Sequence, residues 1–317
     1  MLRLFIGNRA GVMLFLPILM FIYMTLNHYT GYYTQERSVN LGLWGEGIDF
    51  NPTMSMWLAV ALTLFNAMSI NWIYNINEFL ERNSYMSSLL YIVLMSFYHS
   101  FYNIDGLLLA HTCLILMLYQ FFRLRQNEDS RRIVFNGSFF AGLAATFHPP
   151  MVTLLPVVFF MVWSIRPFVG REFLLMITGF GVPLLYAGAF IYYSDHVIEL
   201  RILEQATNYH KKQTDFLVTS VLFTLLFLLS IVSIRAKMLQ SSSRLKKMVR
   251  MLWWLMGIGV VFGLVDFLFF SQIERFSFLM IPLSFFLTFS FTNKTVGLTA
   301  TVLFYLTFFY SLVNFFM

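Results

Sequence analysis

The side chains able to do acid–base, metal or phosphate chemistry in this chain are few: six His and fifteen Asp or Glu among 317 residues. Glu46 and Asp49 stand three apart, just ahead of an apolar run that begins near Thr53. Asp105 opens another apolar run, and His111 follows it by six residues, about 9 Å along a helix. His148 directly precedes Pro149-Pro150, and Asp266 and Arg275 flank a break between two late apolar runs. A carboxylate can serve as general base, and an imidazole or guanidinium can hold a phosphate. The same residues also have local roles open to them. Asp49 could cap the helix that starts near Thr53 and Asp105 the one after it, and His148 could rest at headgroup level. His111 could hydrogen-bond a neighbouring helix, and Asp266 and Arg275 could tie two helices as an ion pair.

Other chemistries are excluded or unsupported. Cys113 is the single cysteine, so no disulfide forms within the chain and no Cys-based metal cluster is available. No His-x-x-x-His or Glu-x-x-His spacing occurs, so no metal site is expected. Neither a Walker-type phosphate loop nor a dinucleotide glycine fingerprint is present. Nothing in the sequence specifies a cofactor.

The elements that must carry these residues follow from composition. With 59% hydrophobic against 11% charged residues, 38 Phe and a mean hydropathy of +0.72, the apolar surface exceeds what one soluble core hides. The expected fold is an all-α polytopic transmembrane bundle forming one integral membrane domain over residues 1–317. A spanning helix needs about 20 apolar residues, and about 17 at the short end. Dividing the chain at polar clusters gives eleven candidates: 10–27, 53–74, 86–102, 107–122, 133–147, 151–165, 173–193, 216–234, 251–271, 276–292 and 295–316. The first follows Arg3 and Arg9 but lacks a small-residue cleavage site, so it reads as a retained helix.

A cytoplasmic N-terminus leaves only Arg37, Arg201, Lys211, Lys212 and Arg275, of 21 cations, on the outer side, as the positive-inside rule requires. The first outer loop then covers 27–52 and a second large one 194–215, while the basic segment 235–250 is cytoplasmic, where it would anchor on anionic headgroups or dock a partner. The net charge of +6 is thereby a topological feature, and no nucleic acid is expected. All six histidines fall in outer loops or the outer halves of helices, either because a functional site lies there or because the outer loops are longer. The patterns Gly137-x-x-x-x-Gly142, Gly179-x-Gly181 with Gly188, and Gly257-x-Gly259 with Gly263 predict close helix packing.

Two resemblances appear. WSIRPFVGREFLLMITGFGVPLLYAG, residues 163–188, resembles a segment of a family of multi-pass inner-membrane proteins of Bacteroidota, which implies a location and no activity. FNGSFFAGLAATFHPPMVTLLPVVFFMVW, residues 135–163, following an acidic first outer loop and a later outer Asp, is similar to the N-terminal half of GT-C fold glycosyltransferases that use polyprenyl-linked donors. That resemblance implies a catalytic acid at Glu46 or Asp49, with Asp105 second, and His148 at the basic position beside the donor phosphate, where the commoner residue is Lys. Arg275 is a further candidate for the lipid phosphate, and His111 and Asp266 are intramembrane polar residues. Two functions therefore stay open: a transferase or polyprenyl-phosphate-handling protein, and a non-catalytic subunit that scaffolds membrane-protein partners in an envelope complex. The topology is testable with single cysteines at Ser38 or Ser242 in a Cys113→Ser background: an impermeant thiol reagent added from outside should modify the first, and modification of the second would overturn the orientation.

Overall fold

The computed structural model describes residues 2–7, 10–33, 38–45, 48–125, 129–165, 167, 169–194, 213–239, 241–270, 274–292 and 297–316. Its helices are α1 (Leu2–Ile6), α2 (Phe15–Thr30), α3 (Pro52–Ile76), α4 (Met86–Met95), α5 (Gly106–Phe122), α6 (Arg131–Phe147), α7 (Leu154–Trp163), α8 (Gly170–Ser194), α9 (Gln213–Leu239), α10 (Ser243–Phe270), α11 (Met280–Thr292) and α12 (Gly297–Val313). Among the described residues the only strands are a two-residue ribbon, β1 (Ser38–Val39) paired antiparallel with β2 (Ile48–Asp49). Six helical stretches are long and apolar enough to cross a bilayer: Gly11–Thr30, Pro52–Ile76, Gly170–Ser194, Val218–Leu239, Ser243–Phe269 and Glu274–Phe291. The fold is thus an all-α membrane bundle with several spans. Shorter apolar helices, Met86–Met95, Gly106–Phe122, Pro149–Trp163 and Gly297–Val313, pack against them.

Burial separates lipid-facing from enclosed helices. Phe21, Trp57, Tyr186, Val232, Phe269 and Phe309 are exposed on the bundle surface, where lipid is their natural solvent. In α4, by contrast, all ten residues are buried. At about 15 Å it spans half of a hydrocarbon core of about 30 Å, and a helix apolar on every side can be enclosed by protein. The stretch expected as a span over 86–102 is therefore α4 followed by a 3-10 turn, His99–Phe101, wrapped by α3 and α11. The basic segment 235–250 is largely helical, since α9 runs to Leu239 and α10 starts at Ser243. Helices of 27 and 28 residues reach about 40 Å, long enough to carry their basic ends clear of the hydrocarbon.

Hydrogen bonds among the described residues tie connecting segments together at each end of the bundle. At the basic end, Ser84 and Tyr85 donate to the Phe5 carbonyl, Arg244 to Asn77 at 3.0 Å, and Lys247 to the Ile165 carbonyl at 3.1 Å. At the other end the 27–52 loop, the α4–α5 and α6–α7 connections and the turn before α11 meet.

Glycine brings the backbones of α6 and α8 into contact. A Cβ on Gly142 would collide with the Phe180 carbonyl, and one on Gly179 would lie 2.6 Å from the Phe135 oxygen. Gly181, Gly188 and Gly257 have nothing within 4 Å, so these three of the expected packing glycines face open space. Gly142→Ala and Gly179→Ala should each destabilise the protein in detergent by about 1–3 kcal/mol, the usual cost of overpacking. Gly181→Ala should be neutral or stabilising by up to ~1 kcal/mol through helix propensity. Equal thermal shifts for all three would show that α6 and α8 do not meet backbone to backbone.

Candidate functional site

One 3-10 turn, Glu274–Leu279, organises the polar chemistry of the acidic end. It follows α10 after residues 271–273 and has two faces. On one, Arg275 pairs with Asp266 of α10 at 3.1 Å, with side-chain exposures of 7% and 2%, and its backbone N–H donates to the same carboxylate at 3.4 Å. The Ser277 hydroxyl meets His111 Nε2 at 3.2 Å. The Phe278 ring packs against two imidazoles, with ring centroids 4.9 Å from His111 and 5.6 Å from His148. Glu274 accepts from the His99 backbone N–H at 3.1 Å, tying the turn to the α4–α5 connection. On the other face, Phe276 and Leu279 wall an apolar cavity of about 380 Å³, with Phe223 and Phe227 of α9, Met256 of α10 and Leu283 of α11 among its lining. Its rim residues Leu264 and Phe267 are exposed at the bundle surface.

His111 is fully buried, and its second nitrogen, Nδ1, meets the Tyr91 hydroxyl of α4 at 3.1 Å. Imidazole in an apolar interior needs such partners because a buried polar atom without one is costly. His148 caps α6 in an extended conformation, φ −135° and ψ 94°, which the following proline favours. Pro149-Pro150 then start the 3-10 turn Pro149–Thr153. The His148 ring is also buried, and its Nε2 has no hydrogen-bond partner among the described residues. Its charged or titratable neighbours are Arg275 and His111.

The first loop folds back over both neighbouring connections. The Asn40 carbonyl accepts from Gly106 N–H at 2.8 Å, and Trp44 Nε1 donates to the Thr146 hydroxyl at 2.9 Å. Gly42, at φ +67°, sits so close to the Phe147 carbonyl that a Cβ would collide with it, and Gly106 is pressed against the same oxygen. Only glycine tolerates both the left-handed backbone and the contact. Residues 105–106 and 147–148 are thereby drawn together beneath the loop.

The candidate residues divide accordingly. His111, His148, Arg275 and Asp266 gather around the 274–279 turn. The Asp105 carboxylate caps α5, accepting from Leu108 N–H at 2.7 Å and from the Ser100 hydroxyl at 2.5 Å. The backbone of Asp49 pairs with Ser38, while its side chain and all of Glu46 lie outside the described residues, as do His196, His210 and most of the 194–215 loop. Asn51, rather than Asp49, caps α3, its side chain accepting from Thr53 N–H. Among the described residues no group of three His, Cys, Asp or Glu side chains could hold a metal.

Tyr91, Ser277, Phe278 and the His99–Glu274 link were not singled out from sequence. Their signal was weak, since hydroxyls and aromatics are ordinary in membrane helices. No protein-family model matches the chain, and neither does any curated protein or solved structure.

Removing one member of the buried ion pair leaves the other charge uncompensated, which costs about 3–5 kcal/mol. Arg275→Met and Asp266→Leu should each be destabilising to that degree in detergent unfolding, and the double variant should recover most of the loss. Additive losses in the double variant would show that the two charges do not act as a pair.

Proposed function

We propose that this multi-pass membrane protein handles a long-chain lipid phosphate of the polyprenyl-phosphate class at its acidic end. The observation that carries this reading is the two-faced turn Glu274–Leu279. Its Phe276 and Leu279 line an apolar cavity that opens at the lipid-facing surface, while its Arg275, Ser277 and Phe278 join a buried polar cluster. An amphiphile needs both: hydrocarbon burial for the tail, at roughly 0.8 kcal/mol per methylene, and charge-assisted donors for the headgroup. At about 380 Å³ the cavity falls within the range of about 300–1,000 Å³ typical of small-molecule sites. His148 Nε2, buried and unpartnered, supplies an unused polar atom beside Arg275.

The finer form of this reading is a GT-C-like glycosyltransferase in an inner membrane, with eleven crossings and a cytoplasmic N-terminus. In that chemistry a carboxylate removes a proton from the acceptor while a cation offsets charge on the departing phosphate. The candidates for the base role are Glu46, Asp49 and Asp105, the last of which also caps α5. A second reading, a scaffold subunit, is favoured by one feature: Gly181 and Gly188 lie two turns apart on α8 with nothing within 4 Å, a surface on which a partner helix could seat closely.

The lipid reading is tested by retention of a polyprenyl phosphate against the matching polyprenol on protein purified in mild detergent. The phosphate should be retained in preference. Ser220 of α9 also lines the cavity, so Ser220→Trp, which fills it, should cut retention of both lipids several-fold, and His148→Ala should erase the preference for phosphate. Equal retention of the two lipids by the unaltered protein would overturn the headgroup assignment, and an unchanged Ser220→Trp variant would overturn the tail assignment.

A further inference from the structure

At the basic end, three cations of α9 and α10 are bound within the protein. Lys237 meets Glu81 at 3.5 Å, Arg244 donates to Asn77 at 3.0 Å, and Lys247 donates to the Ile165 carbonyl at 3.1 Å. Lys246 and Arg250, one turn apart on α10 and both exposed, meet no carboxylate among the described residues. Residues at this spacing share a helix face. The face continues with Trp254, four residues or about 6 Å beyond Arg250, and then with Gly257 and Val261, all three exposed. α10 thus presents, in order along one face, cations, an indole, a position without a side chain and an aliphatic group.

α7 stands beside this face. Its Phe160 stacks on Trp254, with ring centroids 4.8 Å and planes 14° apart, and on its own Trp163 at 6.2 Å. Trp163 is 55% and Trp254 39% exposed, so neither indole is enclosed by protein. The Ile165 carbonyl that accepts from Lys247 lies two residues past Trp163, which fixes the end of α7 beside the cationic turn of α10. A Cβ on Gly257 would meet nothing within 4 Å, so open space lies just past Trp254, on the side away from the cations.

We propose that this face of α7 and α10 binds one anionic glycerophospholipid, its phosphate at Lys246 and Arg250 and an acyl chain over Gly257 beside Trp254 and Trp163. The order of groups along α10 is the order of groups in such a lipid: charge-assisted donors for the phosphate, indoles at the level where headgroup meets hydrocarbon, and apolar surface beyond. Basic sites between membrane helices hold anionic headgroups in this way. The two cations select the headgroup, because a zwitterionic one brings its own cation against them. Topology requires cations at one end of a membrane bundle, but it does not require them in line with exposed indoles and an open glycine. An acidic soluble protein would meet Lys246 and Arg250 but not Trp254 and Gly257, about 6–11 Å further along the helix. The proposal does not rest on the polyprenyl-phosphate reading, which concerns the opposite end of the bundle, other residues and another lipid.

Two measurements on the full chain test it. Native mass spectrometry in mild detergent reads retention of phosphatidylglycerol against phosphatidylcholine of the same acyl chains. The unaltered protein should retain phosphatidylglycerol several-fold better, and Lys246→Gln with Arg250→Gln should lower it to the phosphatidylcholine level. Arg235→Gln with Lys237→Gln, which removes two charges from the same basic segment, should keep the preference. Equal retention of the two lipids by the unaltered protein, a preference that survives in the first double variant, or one lost equally in the second overturns the site. Separately, in phosphatidylcholine vesicles, a minor share of brominated phosphatidylglycerol should quench tryptophan fluorescence more than the same share of brominated phosphatidylcholine. Trp163→Phe with Trp254→Phe should abolish that excess; an excess that persists in the variant, or is absent from the unaltered protein, overturns the placement of the lipid at α7 and α10.

Discussion

The acidic end of this protein depends on one buried ion pair. Asp266 and Arg275 sit nine residues apart on either side of the α10 terminus, and their contact at 3.1 Å turns the chain back so that residues 274–279 lie across α10. Gly259 and Gly263, one helical turn apart, admit the Leu279 and Phe276 side chains of that turn; a Cβ on Gly259 would lie 2.9 Å from Leu279, and one on Gly263 would collide with the Phe276 ring. With the turn seated, Glu274 reaches the His99 backbone, Ser277 reaches His111, and Phe278 packs against both His111 and His148. Charge in an apolar surrounding is expensive unless paired, so the pair admits few alternative positions for the turn. Hydrophobic packing, being non-directional, would not impose the same geometry.

A second constraint acts from the first loop. Its contacts are mostly backbone contacts at glycine, Gly42 and Gly106 against the Phe147 carbonyl, and so they specify position without depending on long side chains. The loop closes over the starts and ends of helices that are far apart in sequence. The result is that an acidic loop, a helix-capping carboxylate, Asp105, and a buried imidazole share one end of the molecule.

Much of this was legible in the sequence where a residue type is costly in its setting. A carboxylate inside an apolar run, as at Asp266, demands a partner, and the nearest cation along the chain was Arg275. Helix positions followed from apolar run length, and the tight contacts at Gly137, Gly142, Gly179, Gly259 and Gly263 followed from glycines that a helix would otherwise avoid. What stayed hidden were choices that cost the sequence nothing. Whether an apolar helix faces lipid or protein cannot be read from composition, because lipid tails are as apolar as leucine; α4, enclosed on every side, and α8, largely surrounded by lipid, look alike. Gly181, Gly188 and Gly257 carry the same pattern as their neighbours yet face open space.

The asparagines of α3 show how hydroxyl and amide residues differ in such a bundle. Ser and Thr on a helix can satisfy themselves by bonding a carbonyl three or four residues back, as Ser230, Thr288 and Thr307 do, so their presence predicts little. An asparagine brings two amide donors and a carbonyl acceptor, so a carbonyl of its own helix, as Ile73 is for Asn77, still leaves a group that needs a partner. Asn71, Asn75 and Asn77 each find one across the helix interface or at its end. Asn66, fully buried, faces the Tyr91 hydroxyl of α4. The contacts of Asn75 with Ser84, Asn71 with Ser87 and Asn66 with Tyr91 step along α3 and the segment 84–91 in opposite directions, so the amides fix the antiparallel register of α4 against α3, which non-directional apolar packing would leave free.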